Sequence, residues 1–207
     1  MLVNMDELNG TEAYHLMTQS IIPRPVAWVL TENEGAVNSV NNYNLAPFSF
    51  FTAVCSNPPI IMFSVGKKPS GEVKDTRRNI ERTKRFVLHI AGTDLAQPMT
   101  ETSRTLDYGE SEIERVDLNL TNDWDQALPR VAECDVAMLC ELYEMQEIGN
   151  NAQGLVFGEI KQVYLSDQVA STEPRLQIEA SKLDPIARLG ASEYAALGKV
   201  FTIPRPE

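Results

Sequence analysis

Three cysteines, two histidines and no membrane-length apolar run leave this chain of 207 residues poor in the groups that announce most chemistries. Cys55, Cys134 and Cys140 form no even disulfide framework and no CxxC or Cys/His zinc spacing. They read as buried free thiols in a reducing compartment. His15 and His89 share no motif. A Ser-His-Asp triad or a zinc centre would have to use one of them, and no flanking residue supports either role. The longest apolar runs, residues 58–65 and 86–90, fall well short of the roughly 20 residues a membrane helix takes. The first seven residues lack the basic-then-apolar pattern of a secretory signal, so the chain is expected to be cytoplasmic. No GxGxxG follows a strand, and Gly66-Lys67-Lys68-Pro69-Ser70-Gly71 lacks the order of a P-loop. A net charge of −11 argues against nucleic acid, because phosphate contacts need a surplus of Lys and Arg.

The charge is unevenly spread. Between Lys67 and Arg85 stand Lys67, Lys68, Lys74, Arg77, Arg78, Arg82, Lys84 and Arg85, against Glu72, Asp75 and Glu81. A basic island in an acidic chain is either a solvated helix face or an anion site. Repeats, low-complexity tracts and linker-like stretches are missing, so residues 1–207 are expected to form a single domain.

Residues 14–20 suit a short helix stopped by Pro23-Arg24-Pro25, and residues 26–31 a strand leading to a tight turn at Asn33-Glu34-Gly35. Residues 46–54 and 60–65 are β-branched and aromatic runs parted by Ser56-Asn57-Pro58-Pro59. Asp75–Thr83 is the best mid-chain helix, with Ile80 facing inward, and a second is expected over residues 95–103. Residues 103–125 read as a polar surface excursion, and strand patterning returns at 134–145 and 155–165. Many closely spaced strands, with helices inserted rather than alternating, predict a mainly β antiparallel barrel.

Two stretches carry candidate chemistry. In Asn44-Leu45-Ala46-Pro47-Phe48-Ser49-Phe50-Phe51 a proline, small residues and three aromatics share one strand-like run. Proline removes a ladder donor, which places the run at an edge or a bulge. It would give a planar ligand a flat wall and main-chain partners, or it is an ordinary barrel strand. Lys74-Asp75-Thr76 opens the mid-chain helix, where unpaired N–H groups and the dipole suit a phosphate. Lys74 would add a charge and Thr76 a hydroxyl donor there, with Asp75 as helix cap or hydroxyl partner; the alternative is that Asp75 or Thr76 merely caps a surface helix.

In combination these motifs resemble the flavin reductase-like family of FMN-binding split barrels. The resemblance rests on Pro23-Arg24-Pro25-Val26-Ala27-Trp28-Val29, Asn44 to Phe51, Ser56-Asn57-Pro58-Pro59, Ser64-Val65-Gly66 and Lys74-Asp75-Thr76 with Asn79-Ile80. Pro185 to Gly190 with Tyr194 and the ending Phe201 to Pro206 complete it. It implies a Greek-key split β-barrel, a homodimer and one FMN per subunit near the interface. It puts Asn44, Ala46, Pro47, Phe48 and Ser49 along the isoalloxazine and Lys74 and Thr76 on the phosphate, with Asp75 close by. Arg24, Ala27, Trp28 and Ser64 would flank the ring or ribityl chain, and Arg188 would reach the site across the interface.

Two departures stand out. Val37-Asn38-Ser39-Val40-Asn41-Asn42-Tyr43 intervenes before Asn44 where the family passes straight on, and Ala191-Ser192 follows Gly190 where a second glycine is common. The implied activity is hydride transfer from NAD(P)H to flavin N5, with reduced flavin retained or handed to a redox partner protein. The cofactor supplies that chemistry, which accounts for the lack of an acid–base pair. An FMN electron carrier exchanging electrons with a partner protein is the second reading. A flavin-free binding protein on the same fold is the third.

Overall fold

The computed structural model describes residues 1–35, 42–124 and 128–206. Residues 37–41 of the intervening stretch therefore lie outside the described residues.

Seven strands form one antiparallel sheet: β1 (Ala27–Glu32), β2 (Tyr43–Phe48), β3 (Phe51–Ser56), β4 (Pro59–Val65), β5 (Arg85–Ile90), β6 (Val136–Ile148) and β7 (Gln153–Leu165). Their hydrogen-bonded order is β2-β1-β5-β6-β7-β4-β3. The two end strands are neighbours in the chain, joined only by Ser49 and Phe50, so the sheet must curl until its ends meet. Full closure fails because Pro47 lies opposite Trp28 in β2 and offers no N–H to a further strand. A bond from the Ser64 N–H to the Phe50 carbonyl (2.9 Å) and the Phe48–Phe63 ring contact (5.4 Å between centroids) bridge the seam. The result is a Greek-key barrel left split along one side.

β1 is buried on both faces, which is why it reads as a continuous apolar run rather than an alternating one. Ala27 and Val29 point into the barrel with Phe63, Phe86, Leu88 and Val156, a core closed by Ile80 of α2 (Asp75–Thr83). Trp28 and Leu30 face outward into a second core with Leu45, Met99, Ile113 and Ile186. That outer core corrects the reading of residues 103–125 as a surface excursion. Ser111, Glu112 and Ile113 are buried there, in a 3₁₀ turn (Glu112–Arg115) against β2. Asn79 anchors α2 to the barrel, donating to Thr31 Oγ1 (3.1 Å) and Asn33 Oδ1 (2.9 Å).

His89 is fully buried on β5 and staples the barrel to the strand at Arg130–Val131. Its Nε2 accepts the Val131 N–H (3.0 Å), so its Nδ1 carries the proton and donates to the Trp28 carbonyl (2.9 Å). Cys134 and Cys140 are buried free thiols as expected, whereas Cys55 is exposed because β3 is an edge strand. No described helix is long and apolar enough to cross a membrane.

Gly158 lies at a register shift of β7, where Phe86 fills the space a side chain would need. A Cβ there would stand 2.4 Å from Phe86 Cζ. Phe86 is itself wedged edge-on against Phe63 at 5.5 Å. Gly158→Ala is expected to destabilise the barrel by about 1–3 kcal/mol, as overpacking does. Urea unfolding should show a lower midpoint at unchanged slope.

Candidate functional site

The start of α2 is a helix end without a cap. Lys74, extended at the N-cap position, makes no side-chain cap bond, and Asp75 is drawn away to Lys68 Nζ at 2.8 Å. The first-turn N–H groups therefore keep their donor capacity. They open into a small hollow of about 60 Å³ between α2, edge strand β2 and residues 102–106.

From β2 come Asn44, Ala46 and Pro47. Buried Asn44 donates to Thr76 Oγ1 (2.9 Å), which fixes the Thr76 hydroxyl as acceptor there and leaves its own proton for another partner. Lys74 is half-buried, with Nζ 5.6 Å from the Phe48 ring centroid, and forms no ion pair among the described residues. Burial lowers its pKa, the charge of Glu112 raises it, and Lys68 lowers it again. Lys68 also donates to the Leu106 carbonyl (3.0 Å), tying the basic loop to the opposite wall.

A second, wider hollow of about 380 Å³ adjoins the first, sharing Pro47 and Ser103 with it. Ser49, Tyr14, Arg188 and Tyr194 stand around it. The Arg188 guanidinium lies over the Tyr194 ring at 4.5 Å, and the Tyr194 hydroxyl meets Thr100 Oγ1 at 3.0 Å. The site thus runs from a compact, cationic, donor-rich end to an open, partly aromatic end, with Pro47 lining both. The uncapped helix start, the unpaired ammonium and the free hydroxyl proton suit a phosphate monoester, and the wider hollow suits a flat heterocycle.

A family model described as "Flavin reductase like domain" matches residues 18–182. The chain belongs to that family. Flavin-binding oxidoreductase is accordingly its functional class. The Bacillus subtilis protein YwrF is 33% identical over 97% of both chains. Among solved structures, nitrilotriacetate monooxygenase component B from Bacillus cereus is 34% identical with a TM-score of 0.88, covering 98% of each chain. The 2-nitrobenzoate 2-nitroreductase of Pseudomonas fluorescens is 27% identical with a TM-score of 0.87, over 100% of this chain and 96% of its own.

The residues the family resemblance singles out fall into three groups. Asn44, Ala46, Pro47, Lys74, Asp75 and Thr76 line the inner hollow, and Ser49 and Arg188 the outer one. Arg24, Ala27, Trp28, Phe48 and Ser64 line neither hollow. Arg24 donates to the carbonyls of Thr18, Ile21 (2.8 Å) and Leu189 (2.7 Å), so its guanidinium holds the end of α1 (Gly10–Ser20) against the segment bearing Arg188. Ala27 and Phe48 pack in the barrel, and Ser64 accepts from Gln153 Nε2 at 2.8 Å.

Trp28 acts on the wall through its indole N–H, which donates to Thr102 Oγ1 at 2.8 Å; Thr102 in turn donates to the Met99 carbonyl at 2.8 Å. Trp28→Phe should cost about 1 kcal/mol, one buried hydrogen bond. It should also speed amide exchange across residues 102–106, read by mass spectrometry.

Sequence reasoning missed Glu112, Thr102 to Leu106, Tyr14 and a site role for Lys68. Lys68 lay inside the basic island and was the findable one. A glutamate in an acidic, aperiodic stretch carries no signal until the edge strand it covers is known.

Proposed function

We propose that this chain, as one FMN-binding domain over residues 1–207, is an FMN-dependent flavin reductase that takes its electrons from NAD(P)H. The observation that carries the reading is the shared wall: the cationic helix start and the proline-bearing edge strand border one hollow, and a second adjoins it through Pro47 and Ser103. When bound, the flavin supplies the redox chemistry, accepting hydride at N5.

The protein's own part is binding, orientation and exclusion of water. Lys74, the Thr76 hydroxyl and the first-turn N–H groups of α2 would hold the phosphate, with Asp75 beside them kept neutralised by Lys68. The rigid Ala46-Pro47-Phe48-Ser49 backbone would carry the ring edge, and Arg188 and Tyr194 would flank the opening. The remaining width of the outer hollow is where a nicotinamide ring would approach.

Several features of the same reading lie outside the site. Exposed Tyr14, Met17 and Ile22 on and after α1, with Val54 on β3, suit burial in a homodimer. Free Cys55, Cys134 and Cys140 suit a reducing, cytoplasmic setting.

An anaerobic absorbance spectrum tests the reading. The purified protein loaded with FMN should bleach on addition of NADPH or NADH and regain its colour in air. Stoichiometric FMN that neither nucleotide bleaches would support instead an electron carrier serving a redox partner protein, and failure to take up FMN would sink both.

A further inference from the structure

Glu112 is 5% exposed and lines the same inner hollow as Lys74 and Thr76. Its Oε2 accepts the Leu45 N–H at 3.1 Å, satisfying an amide on edge strand β2. That bond needs an acceptor oxygen and no charge, so glutamine would serve it as well. The second carboxylate of the hollow, Asp75, is matched by Lys68 at 2.8 Å, whereas Glu112 has no ion pair among the described residues.

The charged groups that face Glu112 across the hollow are Lys68 from the loop before α2, Lys74 and Asp75 from its start, and Arg104 from residues 102–106. β2 presents only Asn44, Ala46 and Pro47 there. Burial pushes the Glu112 carboxyl up to about 7, against the N–H groups of Glu112 and Leu45; Asp75 adds to the rise and Lys68 opposes it. A buried carboxylate beside a phosphate-sized hollow has one evident consequence: two anions would compete for one set of donors.

Resting on the flavin reading above, we propose that Glu112 couples phosphate binding in this hollow to uptake of one proton, and so sets how strongly FMN is preferred over an unphosphorylated flavin. The proton comes from solvent and stays on the Glu112 carboxyl; no bond in the ligand changes. With Glu112 neutral, the phosphate meets Lys74, Thr76 and the helix start unopposed. With Glu112 ionised, the ligand must either overcome the repulsion or bring a proton with it.

Above neutrality FMN affinity should therefore fall by up to about tenfold per pH unit, while riboflavin, lacking the phosphate, keeps its affinity. A phosphate monoester has its second pKa near about 6, so by pH 8 the ligand is already a dianion and contributes little. Loss of the Lys74 proton at higher pH would also weaken FMN binding, but the Glu112 charge raises the Lys74 pKa, so that loss comes no later in Glu112→Gln than in native protein and a steeper fall in native protein belongs to Glu112.

The test is calorimetric titration of the full chain with FMN at pH 8, in phosphate-free buffers of different ionisation enthalpy. Native protein should take up roughly one proton per FMN and none per riboflavin, and Glu112→Gln should take up none with either. From pH 7 to 8.5 the native FMN affinity should fall at least fivefold while that of the variant stays within twofold. Equal proton uptake or equal slopes in the two proteins would overturn the role of Glu112 and leave the flavin reading standing. FMN that binds neither protein would remove the flavin reading itself and this inference with it. If the variant does not fold, the FMN-minus-riboflavin proton count on native protein decides, and a value of zero overturns the proposal.

Discussion

Alanine at both Lys74 and Thr76 is expected to weaken FMN binding by roughly a hundredfold or more, with riboflavin binding changed by less than about threefold. The estimate is the ~3 kcal/mol that two hydrogen bonds to a charged group contribute together. Lys74 is committed to no carboxylate among the described residues, and its ammonium is already partly desolvated above Phe48, so its charge is available to a ligand at little further dehydration cost. Thr76 gives up one lone pair to Asn44 and keeps its proton to donate.

Neither residue holds the barrel together. Ile80 anchors α2 in the core, and Asn79 pins it to β1 through Thr31 and Asn33. The unfolding midpoint in urea should therefore move little, the main loss being the Asn44–Thr76 bond. Fluorescence titration with FMN and riboflavin in parallel checks the result. Unchanged FMN affinity, or equal losses for the two flavins, would show that the phosphate does not sit at the start of α2.

The mid-chain helix was legible to its ends because its local chemistry is self-contained: Asp75 opens it, Ile80 is its inward apolar residue and Lys84, in a left-handed conformation, ends it. The edge position of Asn44 to Phe48 was legible for the same reason, since a proline at Pro47 excludes a second ladder whatever the rest of the fold does. What hid was long-range. Residues 46–54 read as one run, yet the chain leaves one end of the sheet after Phe48 and enters the other at Phe51, without a glycine or asparagine to mark the passage.

The acidic stretch containing Glu112 reads as surface because burying a carboxylate is costly by default. It becomes intelligible only beside the Leu45 amide and the basic hollow. Arg24 shows the converse: the family motif marks it, but three carbonyl partners from α1, the turn after it and the segment before Gly190 give it a bracing task that no local pattern reveals.

Two buried titrating groups, His89 and Glu112, are expected to pull stability in opposite directions over one pH range, so that each offsets the other in the native protein. Burial depresses His89 from 6.5 to about 4, with Arg130 acting the same way and the Trp28 carbonyl against it. The folded state then binds fewer protons than the unfolded state between those values. Acidification through this window lowers stability, by roughly 2–3 kcal/mol between pH 7 and 4.5. Glu112 runs the other way: its carboxyl is raised from 4.5 to about 7, so the folded state binds more protons, and the same acidification raises stability by roughly 2–3 kcal/mol.

The ligand-free native protein should show a weaker pH dependence from this pair than either group alone would give. Removing either partner uncovers the other. Glu112→Gln should lose roughly 2–3 kcal/mol on going from pH 7 to 4.5, relative to native protein, while being the more stable of the two at pH 8. His89→Gln, which can still accept from Val131 and donate to Trp28, should start less stable at pH 7 and gain on acidification. Urea unfolding at four pH values between 4.5 and 8 measures both slopes. Parallel curves for native protein and Glu112→Gln would mean that Glu112 titrates as an ordinary exposed carboxylate, which would contradict its place in the hollow wall.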